Sequence, residues 1–271
     1  MPQLPRTWRM AIPRPPTRQM KNAGAGLFGI RNIELVGRPE ERNALWKLLH
    51  RVAAERRVHV LLVRGPEGIG KASLLRWFRR RAHEVGAAIP HHVVFSPLVD
   101  GVSPLTDMFA DSLSTRGLSH LEAEPYVKRL AGVYGSGEYE TQGLLELANP
   151  APDDASSVFR FRSAEEREVA MCRLFEWKAR RRPAIVHMDH VHWGGEGLRV
   201  VLRALERASS ERRPMLFLLT TDAQSLAVSP NERKLLDEVQ QKAGIRYREL
   251  DLQPLPPAAQ RALIASLLGL D

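Results

Sequence analysis

The sequence predicts an α/β fold in three layers, with a central, mostly parallel five-stranded sheet flanked by helices. Three observations predict it. Short apolar runs alternate with helical patterns, which is typical of a doubly wound sheet. The first of these runs ends at a glycine-rich turn that opens a helix. The chain has 271 residues, 44% of them hydrophobic and 26% charged, enough for one large domain or for a domain with a small appendage.

The predicted strands are short and rich in β-branched and aliphatic residues, as buried parallel strands are. They are VHVLLVR (58–64), HVVFSPL (92–98), AIVHMDH (184–190), PMLFLLTTD (214–222) and IRYRELDL (245–252). Before the first strand, apolar residues at Leu45, Leu48, Leu49 and Val52 have helical spacing. Ser163, with Glu166 three residues later, predicts the capped start of another helix. Residues 100–165 are predicted as a helical insert with loops.

Residues 1–33 are predicted to be a Pro/Arg-rich tail or linker with little order, and residues 34–271 to be the folded domain. The first 26 residues hold five prolines and five basic residues, and Glu34 is the first acidic residue. Such a composition buries too little apolar surface to order itself. It also lacks the apolar core of a secretory signal.

The composition argues against several classes of protein. The apolar runs are far shorter than the roughly 20 residues of a membrane span. One cysteine, Cys172, excludes an internal disulfide framework and fits a reducing cytoplasm; its pattern is that of a small buried residue.

The net charge of +9 is compatible with nucleic acid, an anionic membrane surface or a solvated basic face. The basic runs at 78–83 and 178–183 end helical patterns, where cations are favoured by the helix dipole. We therefore favour the solvated surface, with non-specific nucleic acid binding as the open alternative.

The stretch after the first strand has the spacing of a P-loop, and it predicts a P-loop NTPase sandwich. Its candidate binding residues are Gly65, Pro66, Glu67, Gly68, Ile69, Gly70, Lys71, Ala72 and Ser73. Glycines free the backbone N–H groups to converge on phosphate at a helix N-terminus, and the lysine adds a positive charge. Ala72 stands where a Ser or Thr normally contacts magnesium.

The third strand ends at Asp189, the position of the carboxylate that helps to hold magnesium beside a nucleotide. Ligands bind at this edge of an open α/β sheet. Asp189 and Ser73 are therefore the candidate Mg²⁺ ligands, with Ser73 displaced by about 100° around the helix from the usual position. His190 takes the place of an acidic residue that would polarise water.

Two further features have competing interpretations. His187, His190 and His192 suggest a metal site, but alternation along a strand separates His187 from His190, and we favour the simple strand. The fourth strand ends in Thr220 and Thr221. Thr221 is a candidate sensor of the γ-phosphate or of attacking water, and the alternative is that threonines merely favour strand ends.

Together these stretches resemble the nucleotide-binding module of bacterial STAND-type AAA ATPases, large signalling and transcription-regulating proteins. The resemblance covers about residues 34–270. It rests on LVGRPEERNALWKLL, GPEGIGKASLL, RRPAIVHMDHVHWGGEGLRVVLRAL, PMLFLLTTD and LDLQPLPPAAQRALIASLLG. It implies an adenine-side role for Val36, Gly37 and Arg38, a phosphate role for Gly70 and Lys71, and family equivalents at Asp189, His192 and Trp193.

The resemblance implies ATP/ADP and Mg²⁺ as cofactors, an effector domain or protein partner, and a nucleotide-dependent oligomer. It also implies a helical lid and a winged helix beyond Asp271, so that the chain would be a fragment or a remnant. Three positions depart from the family: Ala72, His190, and Asp222 where an arginine is frequent. The phosphate cradle is intact.

We therefore expect a nucleotide-binding regulatory switch with weak or absent hydrolysis. A non-catalytic interaction domain that binds protein or nucleic acid through its basic surface is the first alternative. An active ATPase with Ser73 as the metal ligand is the second.

Overall fold

A computed structural model describes residues 4–10, 35–97, 103–156, 158–207 and 212–268. Five strands form one sheet in the order β2-β3-β4-β1-β5. All its pairings are parallel. The strands are β1 (Val58–Arg64), β2 (Ile89–Val94), β3 (Ala184–Asp189), β4 (Met215–Thr220) and β5 (Tyr247–Asp251). The predicted fold class is confirmed, and the sheet is wholly rather than mostly parallel.

Helices cover both faces of this sheet. In chain order they are α1 (Pro39–Glu55), α2 (Lys71–Glu84), α3 (Pro104–Leu113), α4 (His120–Tyr134), α5 (Glu138–Ala148), α6 (Ala164–Ala179), α7 (Gly195–Arg207), α8 (Ala223–Ala227), α9 (Pro230–Ala243) and α10 (Pro257–Leu268). Within the described residues, no helix is both long and apolar enough to cross a membrane.

Two hydrophobic clusters lie on opposite faces of the sheet. The first contains residues of α1, α2 and the odd-numbered positions of β3, among them Phe78 and Ile185. The second contains residues of the insert, α6, α7, α9 and the even-numbered positions of β3, together with Phe217 of β4. Alternate residues of one strand therefore serve different layers, as the period of a strand requires.

The strand boundaries differ from the predicted ones where polar residues leave the ladder. The second strand begins three residues earlier than predicted and ends at Val94; Phe95 still donates its N–H to the Asp189 carbonyl (3.0 Å). β3 stops at Asp189 because His190 turns into the left-handed conformation, φ 58°. β4 stops at Thr220, since Asp222 caps α8 through the N–H of Ser225 (2.7 Å).

The helical insert lies between β2 and β3. The capping box of α4 is complete, with Ser119 and Glu122 exchanging hydrogen bonds. At α6 the predicted box is half made: Ser163 accepts from the N–H of Glu166, whose carboxylate accepts from Arg162 instead. The helix therefore starts where the sequence predicts.

Part of the predicted tail lies within the described residues and contacts the domain. The Trp46 indole donates to the Pro5 carbonyl at 3.1 Å. Trp8 packs edge-on against Trp77 with ring centroids 5.2 Å apart. Residues 11–34 lie outside the described residues, so the predicted tail and domain boundary stay a prediction.

A histidine buried beside the insert makes stability depend on pH. Burial, together with the nearby charge of Lys178, lowers the pKa of His91 to about 3. The Nδ1 of His91 lies 2.7 Å from the Ser112 hydroxyl. The folded chain therefore keeps this imidazole neutral, whereas the unfolded chain protonates it near pH 6.5.

We expect the stability that depends on neutral His91 to be fully present above pH 6.5. It should be lost progressively as the pH falls from 6.5 towards 3. His91 alone contributes a loss of about 2 kcal/mol between pH 7.5 and 5. Urea unfolding of the wild type and of His91→Gln at both pH values measures it. An unchanged pH dependence in the variant would refute this account of His91.

Candidate nucleotide site

The predicted phosphate loop connects the carboxyl end of β1 to the start of α2. Gly65, Gly68 and Gly70 have positive φ values of 146°, 75° and 98°. A Cβ at Gly65 would lie 3.1 Å from the Leu252 carbonyl oxygen, whereas open space surrounds a Cβ at Gly68 or Gly70. Glycine is therefore needed for backbone conformation at all three positions and for close approach at the first.

Lys71 is the first residue of α2 and lies across this loop. Its ammonium donates to the carbonyls of Gly65 (2.7 Å) and Pro66 (3.0 Å). No side chain caps the helix at Gly70. The first N–H groups of α2, at the positive end of the helix dipole, are therefore available to a ligand. An anion such as a phosphate fits this combination of backbone donors and lysine.

Arg38 ties the loop to two other segments. Its guanidinium donates to the carbonyls of Ile69 (2.9 Å) and Gln253 (3.1 Å) and pairs with Glu41 (2.9 Å). Only 4% of its side chain is exposed. Beside it, half-buried Val36 and Gly37 lie near the start of α10, where a Cβ on Gly37 would meet Ala259 at 3.2 Å.

Replacing Arg38 by alanine would leave these carbonyls without their donor and remove a buried charge from Glu41. We expect a loss of about 2 kcal/mol of unfolding free energy, since hydrogen bonds to charged groups contribute about 1.5–3 kcal/mol. Arg38→Lys should recover only part of it, because lysine lacks the planar fork. Urea unfolding of the three proteins checks this, and full recovery by lysine would contradict it.

The second group of site residues lies where β3 and β4 end side by side. Thr220 donates its hydroxyl to Oδ1 of Asp189 and accepts the N–H of His190 (3.1 Å). Asp189 and Thr220 are buried. The residue that contacts the carboxylate is thus Thr220, one position before the predicted sensor Thr221.

Thr221 instead bonds to His192. Its Oγ lies 3.1 Å from Nδ1 of His192 and donates to the Asp222 carbonyl. Burial lowers the pKa of His192, with Asp222 opposing the shift and Lys71 adding to it. Asp189 also opposes the lowering of this pKa.

His190 adopts a left-handed backbone and stacks on Trp193, with ring centroids 5.6 Å apart at 21°. Trp193 is 43% exposed. His190 and His192 have ring centroids 5.5 Å apart, while His187 lies inside the sheet layer beside His92. The three histidines of the sequence cluster thus have three different surroundings.

The residues present fit a nucleotide phosphate better than they fit its magnesium ion. The loop supplies backbone donors and a lysine. Of the candidate Mg²⁺ ligands only Asp189 remains, because Ala72 has no side-chain oxygen and Ser73 is exposed on α2. Magnesium is frequently held by one or two carboxylates together with substrate phosphates, so Asp189 alone would hold the ion through the phosphates.

Comparisons with known proteins give one family. The model of the AAA ATPase domain matches residues 34–218. No curated protein matches the chain.

Solved structures with a similar chain include the Aeropyrum pernix Orc1 protein in complex with DNA, at 18% identity and a TM-score of 0.46, covering 88% of this chain and 50% of that one. The E. coli MS115-1 HORMA:CdnC:Trip13 complex has 16% identity and a TM-score of 0.43, covering 87% and 69%. Drosophila ORC bound to DNA has 14% identity and a TM-score of 0.35, covering 82% and 95%. The chain spans about half the length of the Aeropyrum pernix protein.

The family match extends over more than half of the chain and includes the phosphate loop, Asp189 and most of β4. An all-parallel sheet with the loop at its carboxyl edge agrees with it. The chain belongs to the AAA ATPase domain family.

Proposed function

We propose that this domain binds ATP and ADP as a STAND-type regulatory switch and hydrolyses ATP weakly or not at all. The observation that carries the proposal is a complete phosphate loop with its lysine, directly followed by Ala72. Binding and hydrolysis depend on different groups of the site. The chain retains mainly the groups that bind the nucleotide.

Binding rests on the loop backbone from Gly65 to Gly70 and on Lys71. The loop conformation is held from behind by Arg38 through the Ile69 carbonyl. Backbone donors at a helix N-terminus are independent of side-chain identity, so the change at Ala72 leaves them in place. Val36 and Gly37 are proposed to line the adenine side, with Arg38 positioning the loop rather than contacting the base.

Hydrolysis needs the phosphate charge and the attacking water to be held more strongly in the transition state. Asp189 remains for the metal and His190 stands in for the water-polarising acid. The hydroxyl of Thr220 is hydrogen-bonded to Asp189, and that of Thr221 to His192. Because the hydroxyl at position 72 and the second acid are both absent, we expect slow turnover.

The alternative of a nucleic acid interface is less well supported, since several arginines of the basic runs already make contacts within the chain. The contacts are Arg80 with Glu84, Arg81 with the carbonyl of Trp8, and Arg180 with the carbonyl of Tyr134. We therefore propose that the partner of the switch is an effector domain or protein, recognised in one nucleotide state, and that a nucleotide-dependent oligomer is one form of that state.

A paired assay separates these functions. Fluorescent ADP titrated into the wild type, with phosphate release from ATP followed on the same sample, should give saturable binding and little release. DNA retention is measured in parallel at low and at moderate salt, because phosphate contacts weaken steeply with salt. Salt-sensitive DNA retention without nucleotide binding would replace the switch with the interaction domain.

A further inference from the structure

A second cluster of ligand-type side chains lies behind the nucleotide site, between α2 and the sheet edge. His92 on β2 faces His187 on β3 in register, and Asp189 follows two residues later on the same face. The two imidazoles stack with centroids 4.8 Å apart at 23°. One ligand atom from each of the three side chains lies within 4.8 Å of the others.

Three of the four imidazole nitrogens of this cluster have no hydrogen-bond partner in the described residues. In the described residues, Nε2 of His92 and both ring nitrogens of His187 are buried without a hydrogen bond. His187 is 1% exposed. A buried polar group without a partner costs roughly 1–3 kcal/mol, so these nitrogens call for a ligand at the edges of the two stacked rings.

The donor atoms of the cluster suit a metal. Neutral imidazole nitrogen is the form that binds metals. Thr220 holds one oxygen of Asp189, and the carboxylate has a second.

We propose that His92, His187 and Asp189 form a site for a divalent transition ion of the Zn²⁺, Co²⁺ or Ni²⁺ class. Two imidazoles and one carboxylate are ligands that these ions accept and that Mg²⁺ does not favour. Ligand distances of about 2.0–2.2 Å require donor atoms closer than 4.8 Å, so small side-chain rotations draw the three atoms together. Three protein ligands leave a coordination position for water or a phosphate oxygen.

The positive charge of Arg79 near the three ligands should weaken metal binding, which provides a second test of the site. On α2, Ala72, Arg76 and Arg79 have the spacing of one helix face. Arg79 is half-buried, and the carboxylate of Asp189 acts on its charge. A fixed positive charge beside the ligands weakens the binding of a dication, so neutralising Arg79 should strengthen it.

The site shares Asp189 with the nucleotide site and thereby couples the two. A transition ion drawn to Asp189 by the histidines takes a carboxylate that would otherwise hold Mg²⁺ at the phosphates.

The test uses the full chain, freed of any affinity tag and of nucleotide. Co²⁺ is titrated and the visible absorption band of a tetrahedral Co²⁺ complex is followed, with Zn²⁺ displacing it. We expect one ion per chain, and His92→Asn should weaken binding at least on the order of tenfold, as ligand-shell changes do. Arg79→Gln should tighten it.

His83→Asn is the matched control, because His83 is exposed on α2 and its loss should leave the titration unchanged. His92 lies on an edge strand and is half-buried, so its variant is expected to fold, and circular dichroism verifies this. A wild type without Co²⁺ absorption, or with absorption that His92→Asn leaves unchanged, would overturn the proposal. So would an Arg79→Gln variant that binds more weakly.

Discussion

Lys71→Ala is expected to weaken ATP and ADP binding by about 10- to 100-fold. Its ammonium lies across the phosphate loop, bonded to the Gly65 and Pro66 carbonyls. A nucleotide phosphate in the loop would receive this charge, and hydrogen bonds between charged groups contribute about 1.5–3 kcal/mol each. Isothermal titration calorimetry of both proteins with ADP measures the change.

Lys128→Ala serves as the control for charge. Lys128 is exposed on α4 in the helical insert and pairs with Glu124 at 2.8 Å, a surface ion pair that contributes little to stability. Its removal lowers the net charge by the same unit as Lys71→Ala. Equal weakening by both variants would mean that ADP senses net charge, and the loop would lose its proposed role.

The second large effect is a gain of turnover. Ala72→Ser restores the hydroxyl directly after the loop lysine, and His190→Asp restores an acid directly after Asp189. Aspartate is chosen because position 190 has φ 58°, a conformation that Asp tolerates better than Glu. General-base contributions are typically 10²–10⁴-fold, so we expect phosphate release from the double variant to rise by about 100-fold.

Ser73→Ala accompanies this experiment. Ser73 is exposed and lies one residue further around α2, so its loss should leave both binding and the basal rate unchanged. Brisk phosphate release by the wild type that depends on Ser73 would instead identify an active ATPase with relocated metal ligation.

The sequence was most informative where local patterns decide structure. β1 has the predicted limits because a strand buried on both faces is a continuous apolar run ending at a glycine. The loop and α2 follow from glycine and lysine spacing alone. The limits of β2 were wrong, since an edge strand is half exposed and its ladder begins with Ile89 and Pro90, which carry no strand pattern of their own.

The remaining parts of the site depend on the register between distant strands. Thr220 meets Asp189 because β3 and β4 end side by side, and His92 meets His187 because β2 and β3 pair. No spacing within one segment encodes these contacts. The spacing of seven residues predicts that Arg79 lies on the same helix face as Ala72. Only the structure shows that this charge lies near Asp189.

The most direct test of the central claim is calorimetric titration of the wild type with ATP in Mg²⁺ and in EDTA, with phosphate release followed on the same samples. Because the phosphates are held by backbone groups and Lys71, with few protein ligands for Mg²⁺, we predict similar affinities in the two buffers and almost no phosphate released. Absence of binding to the folded chain, or binding confined to Mg²⁺ buffer with rapid release of phosphate, would contradict the account.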